Sequence, residues 1–188
     1  MANQIIDDLR LNTSPGINTG LWKFPPAQYP ASTAAAIGTF RYYAAFIPAC
    51  SGLIGTVGFE ATVVPDATNK ARCAFYTNAN GFPGSLIQEA DAEITPAVGT
   101  NLFAFTGGVR SGPSGVWVVI IISATSAPTL RAGQTGDPWA GPGALDFQTV
   151  NKGWYSPVRS YPSVMPTVFD MTGVLGHAAT FPLIGVRP

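Results

Sequence analysis

Acid–base, nucleophilic and metal chemistry each need particular side chains in convergent sets, and this sequence supplies few of them. Its single histidine, His177, follows Gly173-Val174-Leu175-Gly176 and reads as a loop residue. The run Gly112-Pro113-Ser114-Gly115 is not a nucleophile elbow, so a Ser/His acyl-transfer arrangement is poorly supported. One histidine, two cysteines and scattered carboxylates do not make the three or four convergent ligands of a zinc site. No Gly/Lys/Ser motif that would cradle a phosphate is present. The chain therefore reads as non-enzymatic, with no catalytic residue, no metal and no cofactor expected.

Two groups remain. Glu89, Asp91 and Glu93 share a period of two, so a continuous strand projects all three carboxylates from one face. They could gather calcium, but a solvated acidic edge that discourages sheet-to-sheet pairing is the preferred reading. Glycan hydrolysis by a carboxylate pair needs a spatial separation that a sequence does not supply. The second group, Trp139, Trp154, Tyr155 and Tyr161, forms the best glycan-binding candidate, because exposed rings stack on apolar sugar faces. Asp137, Asn151, Lys152 and Arg159 lie near them in sequence for polar contacts. The same rings can instead anchor irregular loops or fill a subunit interface, and that use is preferred.

The elements that must position these groups are β-strands. At 188 residues the chain fits one domain, with 46% hydrophobic but only 11% charged residues, against about 25% charged in an average soluble domain. So low a charge signals either a membrane or a surface covered by partners. The longest apolar run, Val116 to Ile122, falls far short of the roughly 20 residues of a spanning helix, so no membrane insertion is expected. Met1 to Asp8 shows no basic start followed by an apolar stretch, which leads to an expectation of folding in a cytoplasm and of free thiols at Cys50 and Cys73. Ten basic side chains cancel ten acidic ones, removing the electrostatic footprint of nucleic-acid binding.

Composition divides the chain into three zones. Residues 1–38, with Pro15, Pro25-Pro26 and Pro30, read as an extended N-terminal arm, since proline fixes φ and removes a donor. Ile17, Leu21, Trp22 and Phe24 give this arm apolar groups for docking. From 39 to about 132, short β-like segments alternate with breakers such as Pro65-Asp66, Asn80-Gly81, Pro83-Gly84 and Gly107-Gly108. Strands at such intervals without helical periodicity predict an antiparallel sandwich or barrel. Gly115 to Ser123 is too uniformly apolar for an edge and is expected to be central, buried on both faces. A loop-rich C-terminal region occupies 133–181, and Phe181 to Arg187 is positioned to return as a closing strand.

The segments Ala71 to Ile87, with its Asn78-Ala79-Asn80-Gly81 loop and Pro83-Gly84 turn, Gly115 to Ile121, and Pro182 to Arg187 together resemble a recurring β-sandwich module of tailed-bacteriophage structural proteins. Such modules occur in tail, fibre and surface components, and the similarity covers roughly residues 40–188. The resemblance implies an all-β, jelly-roll-like sandwich spanning 39–188 and a place in a virion. It also implies partners among other virion proteins and copies of the same chain, a homotrimer by analogy with phage fibres. A host-surface glycan is the alternative ligand, since related sandwiches bind carbohydrate, and a glycan hydrolase ranks third.

Overall fold

The computed structural model describes residues 34–50, 52–124, 126–132, 153–176 and 181–187. The arm residues Ile17, Leu21, Trp22 and Phe24 lie outside them. The described residues are all-β. In chain order the strands are β1 (Ala34–Ala36), β2 (Tyr42–Ile47), β3 (Leu53–Val63), β4 (Lys70–Ala79), β5 (Phe82–Glu89), β6 (Gly99–Arg110), β7 (Val116–Ser123), β8 (Thr129–Arg131), β9 (Trp154–Tyr155), β10 (Leu175–Gly176) and β11 (Ile184–Arg187). Every pairing between them is antiparallel.

Strand β7 sets the architecture. Val116 through Ile122 are all buried, so the strand has no face to give to water and must be flanked and covered on every side. It lies between β2 and β4, in register Ala44↔Val119 on one side and Ala74↔Val119 on the other. The resulting six-stranded sheet has the order β10-β9-β2-β7-β4-β5. The second sheet is organised on β3: β6 runs along one side from Leu53 to Ala61, while β11 and β8 share the other side at Thr56–Phe59 and Ala61–Val63. Strand β1 adds to β8 as Ala34↔Arg131, so the end of the Pro-rich zone joins the sheet, and Ile37 just beyond it is core.

The two sheets face each other across the main core. Alternate residues of β7, Val116, Val118, Ile120 and Ile122, point into it with Tyr43, Ala45, Ile47, Cys73 and Phe75 from neighbouring strands. Ile54, Val57, Phe59, Phe103, Phe105, Ile184 and Val186 answer from the opposite sheet. The fold is an antiparallel β-sandwich. Each fully buried Val, Ile or Phe contributes about 1.5–3 kcal/mol of transfer free energy, which is why these positions admit little change. The closing segment behaves as expected: β11 pairs with β3 through Ile184↔Phe59 and Val186↔Val57.

Two local expectations need correction. Pro83-Gly84 does not turn the chain. The reversal is made by Asn80-Gly81, with φ of 54° and 89°, between the paired residues Ala79 and Phe82. Positive φ at both central residues is the requirement of a type I′ hairpin, whose twist matches the flanking strands. Pro83 then sits inside β5, outermost of the six strands, where a missing N–H costs no central ladder bond. Nor do Glu89, Asp91 and Glu93 lie on one strand: β5 ends at Glu89. The Ala90 amide still donates to Cys73 of the six-stranded sheet (2.9 Å), whereas the Asp91 amide donates to Ala104 of the other sheet (2.9 Å). The chain leans to the other sheet at Asp91 and is back beside β4 at Ile94, whose amide donates to Ala71 (3.0 Å), so the period of two is broken at Asp91.

Val119 and Ile121 are completely buried. Ile121→Ala should lower the unfolding free energy by about 2–5 kcal/mol, read as a reduced denaturant midpoint at unchanged slope. Cys50 and Cys73 are free thiols, the second fully buried with its pKa pushed up by desolvation. Native-state alkylation should leave Cys73 untouched, and alkylation in denaturant should modify both; a mass showing an intramolecular disulfide would contradict the structure.

Candidate functional site

The centre of the six-stranded sheet's outer face is apolar, like its inner one. Tyr42, Ala44, Ala74, Tyr76, Trp117, Val119 and Ile121 project from it, and a face of this kind must be covered. The cover is the C-terminal stretch 153–174. Strand β9 pairs with β2 as Ala44↔Trp154 and Tyr43↔Tyr155, and brings Trp154 onto the face. Met165 and Phe169 follow, and Phe169 stands edge-on to both Tyr42 (5.5 Å) and Tyr76 (5.6 Å). Edge-to-face contacts of this kind add to plain area burial.

The aromatic candidates occupy separate places. Trp154 is 6% exposed, its ring 4.8 Å from that of Phe82, and its indole N–H donates to the Gly81 carbonyl at 3.3 Å. Tyr155, its strand neighbour, points to the other side of the sheet. There it stacks on Tyr43 at 6.4 Å, with the Arg41 guanidinium 5.4 Å from its ring centre. Tyr161 is half-buried, and its hydroxyl donates to Glu93 Oε2 at 3.1 Å. Burial, then the Glu93 charge, pushes the Tyr161 phenol above its ordinary range. Trp139 lies outside the described residues, as do Asp137, Asn151, Lys152 and His177. Arg159 donates to the Thr172 carbonyl (2.6 Å) and pairs with Asp170 (2.9 Å).

The densest polar constellation is one that the period-two pattern of the acids only half disclosed. Arg72 projects from β4 between Glu89, 2.7 Å from Nη1, and Glu93, 3.2 Å from Nε. The Nε contact is an ion pair without hydrogen-bond geometry. Lys70 Nζ donates to Glu93 Oε1 at 2.5 Å. This hydrogen bond is the chief reason the Glu93 carboxyl titrates below the usual range. The remaining oxygens face the cover: Tyr161 donates to Glu93, and the Met165 amide donates to Glu89 Oε2 at 3.0 Å. Asp91 is turned away and accepts from the amide and hydroxyl of Thr106. A readable signal existed in the matching two-residue spacing of Lys70/Arg72 and of the acids, but their pairing depends on where β5 ends.

Asn78 organises the opposite end. Its Oδ1 accepts from the Gly81 amide (3.0 Å) and the Trp117 indole (3.2 Å), while Nδ2 donates to the Ser114 carbonyl (2.8 Å). Both tryptophans of the face are thus tied to the Asn80-Gly81 hairpin. Among the described residues, no three His, Cys, Asp or Glu side chains are grouped to hold a metal ion. The oxygens of Glu89 and Glu93 serve cations and donors of the chain itself, so the arrangement holds a segment in place.

Fold and site together define a two-sheet antiparallel β-sandwich with one sheet covered on its outer face by its own C-terminal stretch. No protein-family model matches the sequence, and no curated protein matches it either. Trp154 is the largest side chain of the cover, and Trp154→Ala should lower stability by about 3–5 kcal/mol. Chemical denaturation followed by near-UV circular dichroism checks this. An unchanged midpoint would mean that the indole contributes nothing to holding the cover.

Proposed function

We propose that this chain is a structural component of a bacteriophage virion, in the tail, fibre or capsid surface, acting through protein–protein contacts and not through catalysis. The observation that carries the reading is the asymmetry between the two sheets. The outer face of the six-stranded sheet is sealed internally, whereas the outward residues of β6 from Thr100 through Leu102 and Ala104 to Thr106 are exposed and uncharged, the first charge on the strand being Arg110 at its end. Exposed beside them on β3 is Glu60, paired with Arg131 of β8 at 3.1 Å. A pleated, charge-poor face of small side chains has the composition of an interface more than of a solvated surface.

The resemblance of residues 71–87, 115–121 and 182–187 to phage sandwich modules supports the virion setting and a jelly-roll-like arrangement. In this reading Ile17, Leu21, Trp22 and Phe24 of the arm dock on neighbouring subunits, with a homotrimer the favoured small assembly. The chain folds in the host cytoplasm before assembly. Use of the Trp154, Tyr155 and Tyr161 rings and hydroxyls within the chain itself supports assembly over glycan stacking as the role of these side chains.

Sedimentation of the full chain at micromolar concentration should give a discrete oligomer. Removing residues 1–30 should shift it towards monomer while the far-ultraviolet spectrum stays β-rich. Antibody against the chain should label purified phage particles. A full chain that sediments as a monomer and is missing from particles would sink the proposal.

A further inference from the structure

We propose that Tyr161–Phe169 is a charge-fastened strap, able to leave the outer face of the six-stranded sheet while the sandwich beneath stays folded. Three features of the molecule carry this. First, the main core between the sheets contains no residue of the segment; its buried side chains, Met165 and Phe169, belong only to the outer cluster. Second, the segment is thinly anchored: Ser163, Val164, Thr167 and Val168 are exposed, so Met165 and Phe169, with the half-buried Tyr161 ring, make its apolar contribution against the ordering entropy of the whole stretch. Third, two of its polar attachments, Tyr161 to Glu93 and the Met165 amide to Glu89, end on carboxylates that share a single guanidinium, Arg72. The other attachments are neutral: Tyr76 to the Pro166 carbonyl, the Leu86 amide to Thr167, and the Phe169 amide to Gly84.

The charged and titratable groups around the fastening are few. Lys70 and Arg72 face it from β4, Glu89 from the end of β5, Glu93 from the following connection and Tyr161 from the strap. The Tyr42 and Tyr76 phenols stand on the same face, and the Cys73 thiol lies across the sheet. Asp91 is occupied by Thr106, and Arg159, ahead of the strap, by Asp170. Because the folded-state pKa of Glu93 is lowered, the stability it contributes is complete above the unfolded carboxylate range and is lost as pH falls through the lowered value. Most of that shift belongs to Lys70 on β4; the strap's own share lies in the geometry, since Tyr161 and the Met165 amide donate to carboxylates whose protonation removes the charge they face, and the strap loosens in acid. Its release bares the rings of Tyr42 and Tyr76 and frees the Leu86 N–H and Gly84 C=O on the margin of β5, an apolar face beside an unpaired strand edge.

Amide hydrogen exchange on the full chain tests this, comparing neutral pH with a series taken down to about pH 2, well below the ordinary carboxylate range, after correction for intrinsic rates. The Met165, Phe169 and Leu86 amides should lose protection by about tenfold or more, as expected of a charge-assisted hydrogen bond lost, while Val119 and Ile121 keep theirs. Equal loss in strap and β7, or no loss in the strap, overturns the proposal. Glu89→Gln with Glu93→Gln should bring the acid behaviour to neutral pH and remove its pH dependence; retained strap protection overturns it. Should that pair fail to fold, Tyr161→Phe removes one attachment and leaves the Arg72 ion pairs intact. It should raise exchange within the strap alone, and unchanged strap exchange counts against the proposal.

Discussion

A strand with no polar face is the constraint on which the rest of this molecule depends. Val116 to Ile122 buries seven consecutive side chains, and a pleated strand sends alternate ones to opposite sides. One side demands a second sheet, supplied by β3 and its neighbours; the other demands a cover, supplied by Trp154, Met165 and Phe169. Both margins of the strand must also be hydrogen-bonded, which places β2 and β4 beside it. Two layers and a lining follow from one run of residues.

Sheets built this way leave edges, and the structure manages them with polar chemistry. The outer margin of β5 is bonded to Thr167 and Phe169, and a bridge forms between Ser85 and Val168. On β6, the Asp91 carboxylate takes the Thr106 amide, Asp91 itself donates to Ala104, and the Gln88 side chain reaches the Thr106 carbonyl. Residues 88–91 therefore link the two sheets while blocking a margin that would otherwise be open to another strand. The acids of this region are structural connectors: Glu89 and Glu93 share Arg72, and Asp91 holds Thr106.

How much of this was legible beforehand depended on whether the signal was local. The β7 run, the strand-rich middle and the return of Phe181 to Arg187 rest on residue type and periodicity, and all three are in the structure. Asn80-Gly81 and Pro83-Gly84 both carry turn chemistry within a few residues, and only the cross-strand register, with Ala79 opposite Phe82, decides between them. The acids escaped for a similar reason: their period means one face only if the strand continues, and β5 stops at Glu89. Trp154, Tyr155 and Tyr161 were visible as aromatics, but their assignment to Phe82, Tyr43 and Glu93 arises from contacts between distant segments. The proposed function draws on a resemblance and on the exposed outward residues of β6.

The pairing of β11 with β3 bears on how the molecule comes to be folded. Nearly every ladder outside the β4–β5 hairpin joins strands remote in the chain: β2 to β7, β1 to β8, and β3 to a segment that follows every other strand. Contacts of such high order make folding slow, because large loops must close before any reward is gained. During synthesis, β3 will have received β6 and β8 while the stretch opposite Thr56 to Phe59 still waits for β11. A nascent chain thus passes through a stage in which one flank of its main sheet is unsatisfied and Phe59 lacks its cross-strand neighbour Ile184, the interval in which a chaperone or a premature encounter with another chain can intervene.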